Sequence, residues 1–290
     1  MITTRLTGGL GNQMFQFAAG MALAERHHTD LTLDLSHYWP STQKEYRKRG
    51  WISADRRFEL DIFQHRAHIL GRDEPRLLSR IKTRLKSPSK ILKESGFAYN
   101  PDFDNAPDGT TLDGLWTSER YFHQISSIIL NEFKFVRKSN KQNQQLLEQI
   151  SKSTSVALHV RRGDYATSQN TTAYHGLTTI QYYKTAVEEM LKKFPSAHFF
   201  VFSDDPDWSR KHLDFLSLVT YISNNNGVSS WEDLRLMSSC QHNIIANSTF
   251  SWWGAWLNSN PEKVVYAPKQ WFAGAQLDTQ DLIPKTWIRL

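Results

Sequence analysis

A chain of 290 residues, 39% of them hydrophobic, carries enough apolar side chain for one large core or two mid-sized ones. Its one cysteine, Cys240, excludes an internal disulfide and a thiolate metal cluster, and suits a reducing compartment. The formal charge of +6 favours an anionic partner, and neither a signal-type leader nor a run of about 18 apolar residues marks export or a membrane span.

In chain order, "MITTRL" reads as a strand, "TGGLGNQ" as a glycine-rich turn, "MFQFAAGMALAERHH" as a helix and "DLTLDL" as a second strand. Strand, loop, helix, strand implies a parallel sheet of α/β type. Residues 37–125 are less regular. Within them "RLLSRIKTRLKSPSKILK", residues 76–93, spaces Leu77, Ile81 and Leu85 four apart and predicts an amphipathic helix. Its basic face is either solvated or in contact with an anionic membrane surface. "SNKQNQQLLEQISKSTS" is polar and helical, so the boundary between two lobes is expected near 150, giving lobes 1–150 and 151–290. Beyond it "VALHV", "HFFVFSDD", "VTYIS", "HNIIANSTF" and "KVVYAP" read as five strands, separated by the helical stretches "TIQYYKTAVEEMLKKF", "WEDLRLMSSC" and "SWWGAWLN". That alternation makes a second doubly wound unit, so the expected class is α/β with two Rossmann-like lobes.

Ligands in open α/β sheets bind at the carboxyl ends of strands, and four polar clusters fall at such places. The first, "GGLGNQ", looks like a dinucleotide loop, with Asp34 at a suitable distance, but Met14 stands at the third glycine position and no P-loop Lys follows. What survives is a loop whose backbone N–H groups can approach an anion at a helix N-terminus, or a plain tight turn. The second, "HVRRGD", sets Arg161 and Arg162 at a strand end. Guanidinium is rarely buried without a partner, so the pair reads as a phosphate clamp, with an internal ion pair to Asp164 as the alternative. The third, "SDDPDW", offers Asp205 and Asp207 in the Asp-x-Asp pattern of divalent-cation sites. It could equally hydrogen bond a guanine edge, or cap a helix through Ser203 or Asp205. The fourth, "NSTFSWWGAWL", begins a helix with hydroxyls suited to phosphate oxygens, while Trp252, Trp253 and Trp256 read as packing.

The four pieces "GGLGNQMFQFA", "HVRRGDY", "FSDDPDW" and "NSTFSWWGAWL" occur in one order over residues 5–257, and in this the chain closely resembles the bacterial α-1,2-fucosyltransferases of glycosyltransferase family 11. The resemblance implies a GT-B-like fold whose C-terminal lobe binds GDP-fucose and whose N-terminal lobe serves the acceptor. Fucose would pass with inversion to the 2-hydroxyl of a terminal galactose, without a metal or other cofactor. By the same likeness Arg161 would hold the β-phosphate, with Arg162 beside it; His159 would lie at the guanine region and Asp204 or Asp205 at the guanine edge. Asn247, Ser248, Thr249 and Phe250 would line the pyrophosphate, and Gly9, Gly11, Asn12 and Gln13 would close over the donor. Asp164 is the first candidate for the base, unless it orients an arginine, and His175 is the second. The implied setting is the bacterial cytoplasm, in the assembly of a surface polysaccharide, with possible contact to the inner membrane through residues 76–93. A nucleic-acid-binding protein is a poorer reading, since no such module is recognisable and "SDD" would repel phosphate. A dehydrogenase is disfavoured by Met14.

Overall fold

The apolar runs of the chain form two separate parallel sheets. The computed structural model describes residues 1–49, 56–72, 90–163, 176–273 and 277–290. By contacts it divides into a first unit, Met1–Val136 with Asp278–Leu282, and a second, Arg137–Leu277 with Ile283–Leu290.

In the first unit the strands are β1 (Ile2–Arg5), β2 (Leu31–Asp34), β3 (His68–Leu70), β4 (Ile91–Lys93) and β5 (Thr111–Asp113). They lie in the order β3-β2-β1-β5-β4, and every pairing is parallel. Helix α1 (Leu10–Arg26) follows β1 and starts before the expected Met14. Its buried residues run almost continuously from Leu10 to Ala24. α2 (Pro40–Lys48) and α3 (Ser126–Glu132) are the other α-helices of this unit among the described residues. The basic segment 76–93 was expected to be helical throughout. Its end is instead β4, because Ile91, Leu92 and Lys93 pair with Thr111, Leu112 and Asp113 of β5. Residues 76–89, with any membrane contact they make, lie outside the described residues.

The second unit begins with α4 (Lys141–Ser151) and holds β6 (Ser155–Val160), α5 (Ile180–Lys193), β7 (His198–Ser203), α6 (Pro206–His212), β8 (Val219–Ile222), α7 (Trp231–Ser239), β9 (His242–Ile244), α8 (Thr249–Trp256), β10 (Val265–Ala267) and β11 (Ile288–Arg289). Six parallel strands, one more than the sequence suggests, run β11-β10-β9-β6-β7-β8. This is the doubly wound order of dinucleotide-binding sheets, with its reversal between β6 and β9. β6 is buried at every position, as a central strand covered on both faces must be. The expected boundary near 150 shifts to Val136–Arg137, because α4 packs in the second unit. There Asn143 is fully buried and its amide donates to Asn225 Oδ1 at 2.8 Å.

Two helices fix the carboxyl edge of this sheet. On α5, Tyr182, Tyr183, Ala186, Val187 and Met190 are buried at helical spacing. The Tyr182 hydroxyl donates to the carbonyls of Ile245 and Tyr266, and the Tyr183 hydroxyl to that of His159. On α8, Trp252 and Trp253 are fully buried and Trp252 packs against Trp287 at 5.3 Å, so these rings are core, as expected. Among the described residues no helix is long and apolar enough to cross a membrane.

Candidate functional site

The crevice of a doubly wound sheet lies outside the strand ends where the order reverses, here at β6 and β9. Register sets the geometry. Val160 of β6 is opposite Ser203 of β7, so the residues that follow, Arg161 and Asp204, meet just past the sheet. Arg161 Nη1 lies 2.7 Å from Asp204 Oδ2, and the backbone N–H of Arg162 donates to Asp204 Oδ1 at 2.8 Å. Gly163 permits this approach, since a Cβ there would lie 2.5 Å from Asp204 Oδ2.

Arg162 is bound inward. Its Nε meets Asp205 Oδ2 at 3.3 Å and its guanidinium lies 4.0 Å over the Trp208 ring. Asp205 Oδ1 meanwhile caps α6 by accepting from Trp208 N at 3.2 Å. The choice left open for Arg162 therefore falls to an internal ion pair, here with Asp205. Asp204 and Asp205, one or the other of which is expected at a guanine edge, hold the two arginines and a helix end.

His159, the residue before the last of β6, is 6% exposed, and its Nδ1 has no hydrogen-bond partner. Burial, reinforced by the Arg161 guanidinium, pushes its pKa down to about 3, so the ring is neutral at physiological pH. Phe250 stands 6.0 Å away, centroid to centroid. The Asn247 amide accepts from Thr178 Oγ1 and donates to the carbonyls of Gly176 and Trp271, tying two loops to the end of β9. Ser248 is the N-cap residue of α8, and Thr249 and Phe250 are half-buried at its first turn. One edge of the second unit thus brings together His159, Arg161, Arg162, Asp204, Asp205 and the stretch 247–250. Asp164 and His175 lie outside the described residues.

Sequence reasoning missed Asp233. It is on α7, beyond the loop that leaves the carboxyl end of β8, where Asn225 Nδ2 donates to its Oδ1 at 2.8 Å. Burial pushes its pKa up to about 7, against the Asn225 hydrogen bond and with a smaller push from Glu232. The available signal was the polar run Asn224–Asn226 ahead of the acidic pair Glu232 and Asp233.

The glycine loop belongs to the first unit, and its anion is the chain's own. Gly8 turns at φ +73°, and the N–H of Leu10 at the start of α1 donates to Glu59 Oε2 at 3.2 Å. Gln13, expected to close over the donor, is fully buried. Its amide donates to the carbonyls of Gly8 and Arg57 and accepts from Glu59 N at 2.9 Å. Gly11 is buried within α1, while Gly9 and Asn12 are half-buried at its start. The Tyr38 hydroxyl donates to Gly8 O at 3.0 Å. Burial raises the Glu59 pKa above the usual carboxylate value, opposed chiefly by Arg57. At the end of β5 another carboxylate, Glu94, accepts from the N–H groups of Leu115 and Trp116 at 2.6 and 2.8 Å, with Trp116 at φ +56°.

A family model described as Glycosyl transferase family 11 matches residues 107–290. An α-1,2-colitosyltransferase of Escherichia coli is 32% identical over 100% of this chain and 99% of its own length. The chain belongs to glycosyltransferase family 11. The O-antigen biosynthesis glycosyltransferase WbnK of E. coli is 30% identical to this family 11 enzyme, over 98% of the chain and 99% of the relative. The galactoside α-(1,2)-fucosyltransferase 1 of Aotus azarae is 27% identical over 50% of the chain and 42% of its own length. Among solved structures, the fucosyltransferase NodZ from Bradyrhizobium superposes with a TM-score of 0.52 at 16% identity, covering 87% of this chain and 90% of that one. Arabidopsis thaliana FUT1, in complex with GDP, gives 0.51 at 11% identity over 98% and 74%. Those likenesses show the fold, the GT-B-like architecture of two Rossmann-like units.

Proposed function

We propose that this glycosyltransferase moves L-fucose from GDP-fucose, with inversion, to the 2-hydroxyl of a terminal galactose in a bacterial surface glycan. The observation that carries the reading is Arg161, delivered by the central strand to the switch point and fixed there by Asp204 across the Gly163 gap. As the bond from sugar to phosphate breaks, negative charge grows on the departing diphosphate. A guanidinium already oriented toward that charge stabilises the transition state with little reorganisation. The first turn of α8 adds backbone N–H groups of the kind that bind phosphate. His159, neutral and with an unpaired ring nitrogen, offers a hydrogen bond to the nucleotide. Its buried nitrogen costs about 1–3 kcal/mol while unpaired, which a bound donor would relieve.

The α-1,2 linkage is supported by the relatives, named as α-1,2-colitosyl and α-(1,2)-fucosyl transferases. A NodZ structure soaked with GDP-fucose supports the donor. No metal is required on this reading, because Arg161 supplies the charge and Asp205 is occupied by Trp208 and Arg162. Activity should therefore persist in EDTA; activity that vanished and returned with Mn or Mg would revive the Asp205 and Asp207 site.

A second reading, transfer of colitose in place of fucose, is favoured by the full-length E. coli relative. Assay of fucosyl and colitosyl donors against a panel of galactose-terminated glycans, with linkage analysis of the products, separates the two. Calorimetry with GDP, NAD and a short DNA tests the class: binding of DNA or NAD but not GDP would sink the proposal.

A further inference from the structure

Arg161 and Arg162 are neighbours in the chain, yet they are held in different ways. Arg161 pairs with Asp204 and leaves about a quarter of its side chain exposed. Arg162 is gripped three times over. Its Nε pairs with Asp205 Oδ2 at 3.3 Å, its Cζ lies 4.0 Å over the Trp208 ring, and its backbone N–H donates to Asp204 Oδ1 at 2.8 Å. All of these residues belong to the second unit.

Trp208 is a fixed seat. His212, one turn further along α6, stacks on its ring at 4.4 Å with 16° between the planes, and Asp205 Oδ1 accepts from its backbone N–H at 3.2 Å. Asp205 is set in turn by Ser203 Oγ, which accepts from Asp205 N at 2.9 Å, and by Ser209 Oγ, which donates to Asp205 O at 3.0 Å. The end of β7 and the first turn of α6 therefore form one block, and the Arg162 side chain is fastened to it. A guanidinium suits this joint because it is flat enough to lie on an indole while its Nε–H edge meets a carboxylate; an ammonium cannot do both. Through its backbone the same residue holds Asp204 Oδ1, and Asp204 Oδ2 is the partner of Arg161 at 2.7 Å. Among the described residues nothing else binds the Asp204 carboxylate. One run of contacts thus leads from Trp208 through Arg162 and Asp204 to the Arg161 guanidinium.

We infer that Arg162 and Trp208 are positioning residues for Arg161: neither touches the diphosphate, and together they fix the carboxylate that aims the guanidinium which does. The inference rests on the role given to Arg161 in the proposed function. A shift of about 1 Å in a group that must meet charge as it develops is enough to lose much of its effect.

GMP lacks the β-phosphate, so the preference for GDP over GMP reads the hold on that phosphate, and reads it in whatever fraction of a variant is folded. In calorimetry on the full-length protein, Trp208→Ala, Arg162→Ala and Arg162→Lys should each lower the affinity for GDP about tenfold and leave that for GMP within about twofold. Trp208→Phe, which keeps an aromatic face under the guanidinium, should recover most of the preference. In an Arg161→Ala background, Trp208→Ala and Arg162→Ala should change the preference no further, because the group they aim is gone. A wild-type preference in Trp208→Ala overturns the inference. So does a preference retained in Arg162→Lys but lost in Arg162→Ala, the pattern of a cation that meets the phosphate itself. A further loss from Arg162→Ala in the Arg161→Ala background, or an equal fall in GDP and GMP affinity, overturns it too. A wild-type protein with no preference for GDP over GMP refutes instead the role of Arg161 on which the proposed function rests, before any variant is made.

Discussion

At the carboxyl edge of the second sheet, Arg161 and Arg162 stand against Asp204 and Asp205, and His159 is buried with one ring nitrogen unpaired. At the corresponding edge of the first sheet, Gln13, Gln16, Glu59 and Glu94 fill the strand ends with the chain's own amides and carboxylates. Gln16 shows how completely: fully buried, it accepts from Thr7 N and donates to Thr7 Oγ1 and Gly114 O, each at 2.9 Å, and so joins the ends of β1 and β5. Buried polar atoms without a partner occur at both edges, His159 Nδ1 at the second and Trp116 Nε1 and Thr117 Oγ1 just past β5 at the first, so what sets the second edge apart is the pair of guanidiniums at the end of β6.

The comparison breaks most directly at Arg161. Arg161→Ala should cut sugar transfer about 100- to 1000-fold by removing the fixed counter-charge, with a nearly unchanged thermal midpoint; near-normal turnover would show that the second edge does not act on the leaving group. Gln16→Leu probes the other edge. It strands the Thr7 N–H and Gly114 carbonyl, both in half-buried residues, and should cost about 1–3 kcal/mol in denaturant melts, with GDP affinity retained. A loss of GDP affinity without loss of stability would reverse the roles given to the two edges. Gly163→Ala sharpens the Arg161 argument from the side, since the new Cβ would meet Asp204 Oδ2 at 2.5 Å and displace the ion pair. A roughly tenfold fall in kcat is expected from such misplacement. Gly96→Ala, where nothing lies within 4 Å of the added carbon, is the neutral control.

The smallest effect concerns pH. Asp233 has a folded pKa of about 7, above its ordinary value, so the native state favours its protonated form. That contribution is present at low pH and is lost as pH rises from the ordinary carboxylate range through about 7. The thermal midpoint of the ligand-free protein should fall relative to that of Asp233→Asn between about pH 5 and pH 8. A constant gap between the two proteins across that interval would rule out a protonated Asp233.

The second sheet was legible because its strands are long and apolar. "SVALHV" and "HFFVFS" give six-residue strands buried along most of their length, and the helices between them carry a clear period. In the first unit β3, β4 and β5 are three residues each, and β3 and β4 have mostly exposed side chains, so nothing local distinguishes them from loop. They exist because backbone pairing holds them beside β2 and β5. The start of α1 was misplaced for a similar reason: the group that accepts from Leu10 N is Glu59, 49 residues away. At the site, the sequence brought Arg161, Asp204 and His159 to one edge. It did not show that Asp204 would be the arginine's partner, because that depends on the register between β6 and β7. The helix-capping alternative for Asp205, which local spacing does reveal, is the one the structure bears out.

The short return of Asp278–Leu282 to the first unit has a consequence for synthesis. Asp281 accepts from Tyr99 N at 2.9 Å through its carboxylate, pairs with Arg120 at 2.8 Å, and takes the Ser118 hydroxyl on its carbonyl at 2.6 Å. Domains commonly fold as they leave the ribosome, N-terminal first, but here the first unit's residues up to Val136 emerge long before their partners at 278–282. The first unit to be made is therefore completed only after residues 278–282 have been translated, and a nascent chain stalled anywhere before Asp281 carries it unfinished.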